Sequence, residues 1–165
     1  MIESKFPRLD PSEREELLAK ARSSKRLRFP KILHKKGDYF NHVYNFIAKG
    51  SYMQPHLHPG DEKIENIHLV SGRVVVLYFD DSGNMTDTFL LDELSRTHIE
   101  VPSFTWHTYV SLEDTSITYE TMNGVYEPTS WKRYANWAPK EDDKDSVNYL
   151  SKIELLANQS EKTNP

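Results

Sequence analysis

Two kinds of hydrophobic patterning divide the chain. In residues 10–22 the apolar Leu17, Leu18 and Ala21 recur at helical spacing. Asp10 stands where an N-cap belongs, Pro11 at the first helical position and Glu13 at capping-box spacing, so a first helix is predicted there. Residues 23–37 lose the pattern. They are basic, punctuated by Pro30 and Gly37, and read as irregular. From Asp38 onward the period shortens. Val43-Tyr44-Asn45-Phe46-Ile47 reads as a strand broken by Gly50, Tyr52 to His58 as the next and residues 65–70 as a third. Val74-Val75-Val76-Leu77-Tyr78-Phe79 is the most strand-like run of all. Further short strands are predicted near 86–91, 97–101, 105–110 and 116–122. Pro59-Gly60-Asp61, Ser71-Gly72 and Asp80-Asp81-Ser82-Gly83-Asn84 supply turns between strands. Short strands at near-regular spacing predict an all-β sandwich or barrel. Val147, Leu150, Ile153 and Leu156 predict a short C-terminal helix, with Asn158–Pro165 as a frayed tail. The chain thus reads as a helix and basic lead-in over 1–37, a barrel over 38–140, and a helix and tail over 141–165, one domain overall.

Composition narrows the chemistry. With 165 residues the chain is long enough for one sizeable core. No apolar run approaches a membrane span and the N-terminus lacks a signal-peptide layout, so a cytoplasmic location is expected. The chain has no cysteine, so any bound metal must be held by imidazole and carboxylate. A net charge of -4 argues against nucleic acid as a partner. One stretch departs from that average: Lys20 to Lys36 holds eight Lys or Arg and no acid. Within it Arg26 and Arg28 are candidates for binding a phosphate or nucleotide sugar. The alternative is a solvated face offset by Glu13, Glu15 and Glu16.

The densest chemistry lies in GSYMQPHLHPGDEKIE, residues 50–65. Side chains alternate along a strand, so His56 and His58 point the same way and suit two adjacent positions on one metal. Gln54 shares that face and is a candidate for substrate binding. His107, in VPSFTWHTYV, is a third candidate ligand, and Glu62 or Glu65 would complete the set. Parity favours Glu65: with it inward, Ile67 and Leu69 also point in, while Glu62 inward would drive Asn66 and His68 into the core. Such a set suits Fe, Mn, Ni, Co or Zn as a divalent ion. Tyr109 shares the face of His107 and could carry a proton. Glu120 could act as a general base if its neighbours raised its pKa, the alternative being an exposed strand glutamate. His34, His42, His68 and His98 read as surface or hydrogen-bonded histidines, and Trp106, Trp131 and Trp137 as core or interface aromatics.

The segment from Gly50 through His56-Leu-His58 and Glu65 to Gly72 resembles the first cupin motif. Pro102-Ser-Phe-Thr-Trp-His107 resembles the second, with Phe104 where the pattern prefers glycine. With ARSSKRLRFPKILH, VSGRVVVLYFDDSG, VPSFTWHTYVSLEDTSITYET and YANWAP, the chain is similar over roughly residues 20–140 to the WbuC family of cupin-fold metalloproteins. Lys132-Arg133 departs from that family, which tends to carry an acid there. The resemblance implies a cupin jelly-roll barrel, a metal held by His56, His58, one glutamate and His107, a homodimer, and a setting in O-antigen or surface-polysaccharide metabolism. Two classes of function follow. One is a metal-dependent enzyme on a sugar or nucleotide sugar, an isomerase or epimerase, or with Fe(II) a dioxygenase. The other is a binding or regulatory module that turns nothing over.

Overall fold

The computed structural model describes residues 6–163, with side chains to residue 159. Asp10 caps the first helix, α1 (Pro11–Ser23), by accepting a hydrogen bond from the Ser12 amide at 2.9 Å. Leu17, Leu18 and Ala21 form its buried stripe. The Glu13 carboxylate reaches Lys31 Nζ at 2.6 Å, tying the helix to the segment that follows.

That segment is not irregular. Arg28–Ile32 forms strand β1, which pairs antiparallel with β2 (Phe40–Ala48). The sheet therefore begins ahead of residue 38. Pro30 fits because β1 is an edge strand, where a missing amide breaks no inner ladder. The chain continues through β3 (His56–Leu57), β4 (Glu65–Ser71), β5 (Arg73–Phe79), β6 (Met85–Asp92), β7 (His98–Val101), β8 (Trp106–Ser111), β9 (Thr115–Asn123), β10 (Arg133–Tyr134) and α2 (Ser146–Thr163). Of the expected strand over Tyr52 to His58, only His56–Leu57 enters a ladder. The helical backbone of α2 continues to Thr163, through most of the expected tail.

Among the described residues ten strands make two antiparallel sheets, ordered β1-β2-β9-β4-β7 and β10-β3-β8-β5-β6. They face each other as a cupin jelly-roll barrel. Between them lie Ile47, Ile67, Leu69, Val74, Val76, Leu91, Ile99 and Val101. Alpha1 covers the outer face of the first sheet, over Tyr44, Phe46 and Ile117. Alpha2 covers the second with Leu150, Ile153 and Ala157, over Val75, Leu77 and Phe79. Val147, expected on that stripe, is exposed. The unbroken apolar run of β5 follows from this arrangement, since both of its faces are covered.

Inward-facing positions cross the first sheet in register. Ile67 lies opposite Glu120, and Glu120 opposite Val43. The same alternation turns Glu65 inward with Ile67 and Leu69, while Asn66 and His68 lie on the other face. Among the described residues no helix is long and apolar enough to cross a membrane.

Candidate metal centre

His56 on β3 stands directly opposite His107 on β8, which brings their rings to 4.6 Å. His58, just past β3, places its ring 5.2 Å from His56 and 5.6 Å from His107. Glu65 reaches across from β4 in the facing sheet. One donor atom from each of the four lies within 4.8 Å of the others, and every one of these residues is buried. Glu62 is exposed and is not part of the cluster.

Backbone carbonyls orient the three imidazoles. His56 Nδ1 lies 3.0 Å from Gln54 O, His107 Nδ1 2.8 Å from Thr105 O and His58 Nδ1 2.8 Å from Trp131 O. A carbonyl oxygen only accepts, so each Nδ1 carries the proton and each Nε2 keeps its lone pair. His107 Nε2 then meets Glu65 Oε2 at 2.8 Å, and His58 Nε2 lies 3.5 Å from the same oxygen, buried and without a hydrogen bond. Lone pairs pointed at a carboxylate repel unless a cation lies between them. The donor set therefore fits a divalent transition metal, with the ring orientation that metal-bound histidines show. Burial, reinforced by Lys132, holds His56 well below its ordinary pKa, which keeps it neutral and able to ligate.

The turn before His107 carries a strained residue. Phe104 has φ 60, in the left-handed region where glycine is favoured, and its amide donates to His58 O at 3.0 Å. That explains why a glycine would suit the position. The bond joins the turn ahead of one candidate ligand to the backbone of another.

Through His58 and Glu65 the cluster borders a cavity of about 420 Å³. Its wall includes Pro30 and Ile32 of β1, Asn45 of β2 and Glu120 of β9, with the segment over 126–134 closing one side. Three bonds hold that segment against the site: His58 Nδ1 to Trp131 O, Lys63 Nζ to Ser130 O at 3.0 Å, and the pairing of β10 with β3. Glu120 is buried rather than exposed. Burial, then the Glu65 charge, raises its pKa, while bonds from Tyr109, Asn45 and Thr118 pull it back. Tyr109 Oη donates to Glu120 Oε1 at 2.6 Å, and Thr118 Oγ1 donates to the same oxygen at 2.8 Å. Tyr109 lies outside the cavity lining, so it meets that space only through Glu120. Burial, helped by Glu120, pushes its hydroxyl well above its ordinary pKa.

The other candidates are placed elsewhere. Gln54 turns away from the cavity and donates Nε2 to Ala135 O at 2.9 Å, holding the chain beyond β10. Arg28 is buried, bonded to Tyr52 O at 2.9 Å and to the Glu141 carboxylate. Arg26 reaches the cavity edge, but its guanidinium clasps the same Glu141 through Nε at 2.8 Å and Nη2 at 3.2 Å. His42, His68 and His98 lie outside the cluster, whereas His34 lines the cavity. Pattern reading did not assign Trp131, Lys132 or Tyr134 to this wall. The one signal was Lys132-Arg133, basic residues where an acid was expected.

Fold and site together define a cupin with a buried three-histidine, one-glutamate cluster of metal-binding type. The chain belongs to the family described as a domain of unknown function (DUF6016), whose model matches residues 9–91. No curated protein matches it. Among solved structures it is similar to CapF, a capsular polysaccharide assembling protein of Staphylococcus aureus, at 18% identity and TM-score 0.55, covering 64% of this chain and 31% of CapF. It is similar to the oxalate decarboxylase of Lactobacillus farciminis in its formate complex, at 17% identity and TM-score 0.50, covering 65% of this chain and 31% of that one. It is also similar to an oxalate oxidase in complex with the substrate analogue glycolate, at 15% identity and TM-score 0.51, covering 68% and 57%. These likenesses are of fold, and the chain spans less than a third of CapF.

Proposed function

We propose that this chain is a metal-dependent cupin enzyme that isomerises or epimerises a small polar molecule, a sugar or nucleotide sugar. The observation that carries the reading is the convergence of three backbone-oriented imidazoles and Glu65, two of which, His58 and Glu65, line a cavity whose wall holds a second buried carboxyl, Glu120. His56, His58, Glu65 and His107 would hold the ion. A divalent metal bound there supplies a Lewis acid for a substrate oxygen. Glu120 takes a proton from the carbon beside that oxygen and returns it, a task suited to a carboxyl whose pKa is raised. Tyr109 fixes the carboxyl's orientation and acts as a positioning residue. Aromatic rings of Trp131 and Tyr134 offer faces for a sugar ring. The resemblance to the WbuC family supports a setting in surface-polysaccharide metabolism, as does the assembling role named for CapF.

The test begins with plasma mass spectrometry of the purified protein beside a His56→Ala/His58→Ala variant. About one equivalent of transition metal, lost in the variant, is the expected result. The metal-loaded protein is then incubated with aldoses, ketoses and nucleotide sugars and followed by NMR in deuterated water. Deuterium gained at one carbon without oxygen consumption supports the reading. A wild type that takes up no metal overturns it, as does oxygen uptake coupled to turnover.

A further inference from the structure

Among the described residues two with permanently cationic side chains line the cavity, Arg26 and Lys132. They are not equivalent. Arg26 is held by Glu141 through two hydrogen bonds, so its charge is already compensated. Lys132 makes no hydrogen bond or ion pair with any described residue, although it is half-buried. Nearby Lys63, by contrast, is anchored on Ser130 O and lies 5.1 Å from the Trp131 ring centroid. A partly buried lysine that lines a cavity with no carboxylate paired to it leaves its charge available to an anion there.

The charges around Lys132 agree. Burial lowers its pKa while Glu65 and Glu120 act to raise it, so it feels both carboxyls of the site. With a divalent ion bound, Glu65 offsets one of the two metal charges and the neutral imidazoles add none. Lys132 then leaves the cavity positive whether or not Glu120 is ionised. A cavity of about 420 Å³ lies at the small end of ligand pockets, which suits one sugar ring better than a nucleotide sugar.

We infer that Lys132 is the specificity-determining residue of this cavity and that its ligand is a small acidic sugar, whose carboxylate or phosphate group is read by the Lys132 ammonium beside the ring faces of Trp131 and Tyr134. This rests on the reading of the cavity as the substrate pocket of the proposed enzyme. It narrows the substrate class from sugars at large to those bearing an anionic group.

Calorimetric titration of the metal-loaded protein with glucose, glucuronate and the phosphate monoester of glucose tests it. At least one charged sugar is expected to bind roughly tenfold more tightly than glucose, as for one charge-assisted hydrogen bond. The stronger of the two identifies the group as carboxylate or phosphate. In Lys132→Met that preference is expected to vanish with metal content unchanged, and in Lys132→Arg to survive in part. Arg26→Gln is expected to keep it. Equal binding of all three sugars, absence of binding by both charged sugars at millimolar concentration, or a preference that persists in Lys132→Met overturns the assignment. Metal content measured on the same samples separates the two readings. A wild type without metal defeats the proposed enzyme, and the same titration on that protein still decides the role of Lys132.

Discussion

His107 and Glu65 face one another at 2.8 Å, imidazole Nε2 to carboxylate Oε2, while His107 Nδ1 is held by Thr105 O. With one nitrogen committed to a backbone carbonyl, the other presents a lone pair to an anion. A cation between them would resolve the conflict, with Glu65 as its carboxylate ligand.

Glu65→Ala is therefore expected to weaken metal binding by at least the ten- to hundredfold that loss of a supporting hydrogen bond causes elsewhere. Glu62→Ala, on the exposed turn, is expected to leave affinity unchanged. Competition against a fluorescent chelator reads both. Equal affinity in wild type and Glu65→Ala would remove Glu65 from the site.

Glu120 makes a pH-dependent contribution whose sign is fixed. Its pKa is raised in the folded protein above the ordinary 4.5, first by burial and then by Glu65. The folded state therefore holds this proton more tightly than the unfolded chain. That contribution is fully present below the ordinary value and is lost as pH rises through the raised one. Glu120→Gln keeps an acceptor for Tyr109 but does not titrate. The Tm difference between variant and wild type is expected to move in favour of the variant from acid to neutral pH. A constant difference across that window would show that Glu120 has no raised pKa. Tyr109→Phe is expected to shift the pH profile of turnover without altering metal content, which a purely structural tyrosine would not do.

Gly72 lies between β4 and β5, where the chain passes from one sheet to the other. Its φ is +86, and a β-carbon there would fall 2.5 Å from Ser116 Oγ, 2.7 Å from Thr115 O and 2.9 Å from Ser116 Cα. Gly37 has a similar φ of +91 but open space around it. Gly37→Ala is expected to cost about 1–2 kcal/mol from backbone strain alone. Gly72→Ala adds a clash with backbone worth about 1–3 kcal/mol more. Urea unfolding of the pair checks this; equal losses would mean that the crossover has room to spare.

Metal removal should be felt beyond the ligands. His58 Nδ1 holds Trp131 O, so a ring freed from metal is a poorer anchor for the segment over 126–134. Amide exchange there is expected to quicken roughly fivefold on chelation, the equivalent of one hydrogen bond of about 1 kcal/mol. Amides of β5, covered on both faces, serve as the unchanged reference.

Much of this was legible in the pattern of residues. The cap of α1, the run of β5 and the inward parity of Glu65 depend on neighbours in sequence or on the strict alternation of a strand. Strand β1 was hidden because Pro30 and the surrounding basic residues mimic a loop; only an edge position, which sequence does not reveal, makes that proline harmless. With β1 missed, the part of the cavity wall made by Pro30 and Ile32 was missed too. The burial of Glu120 depends on β9 lying between β2 and β4, a pairing of segments far apart in the chain. Arg26 and Arg28 looked free because Glu141, which neutralises both, is more than a hundred residues away.

The three imidazoles differ in what they lean on. His56 and His107 take their orientation from carbonyls two residues upstream, Gln54 and Thr105, so their poise is written into the local main chain. His58 leans on Trp131, seventy-three positions away, in the segment that also shapes the cavity wall. Two of the candidate ligands are thus oriented independently of the cavity wall and one is not. A change that reshapes residues 126–134 to admit a new ligand would also turn the His58 ring, and with it the seat of any ion the cluster holds.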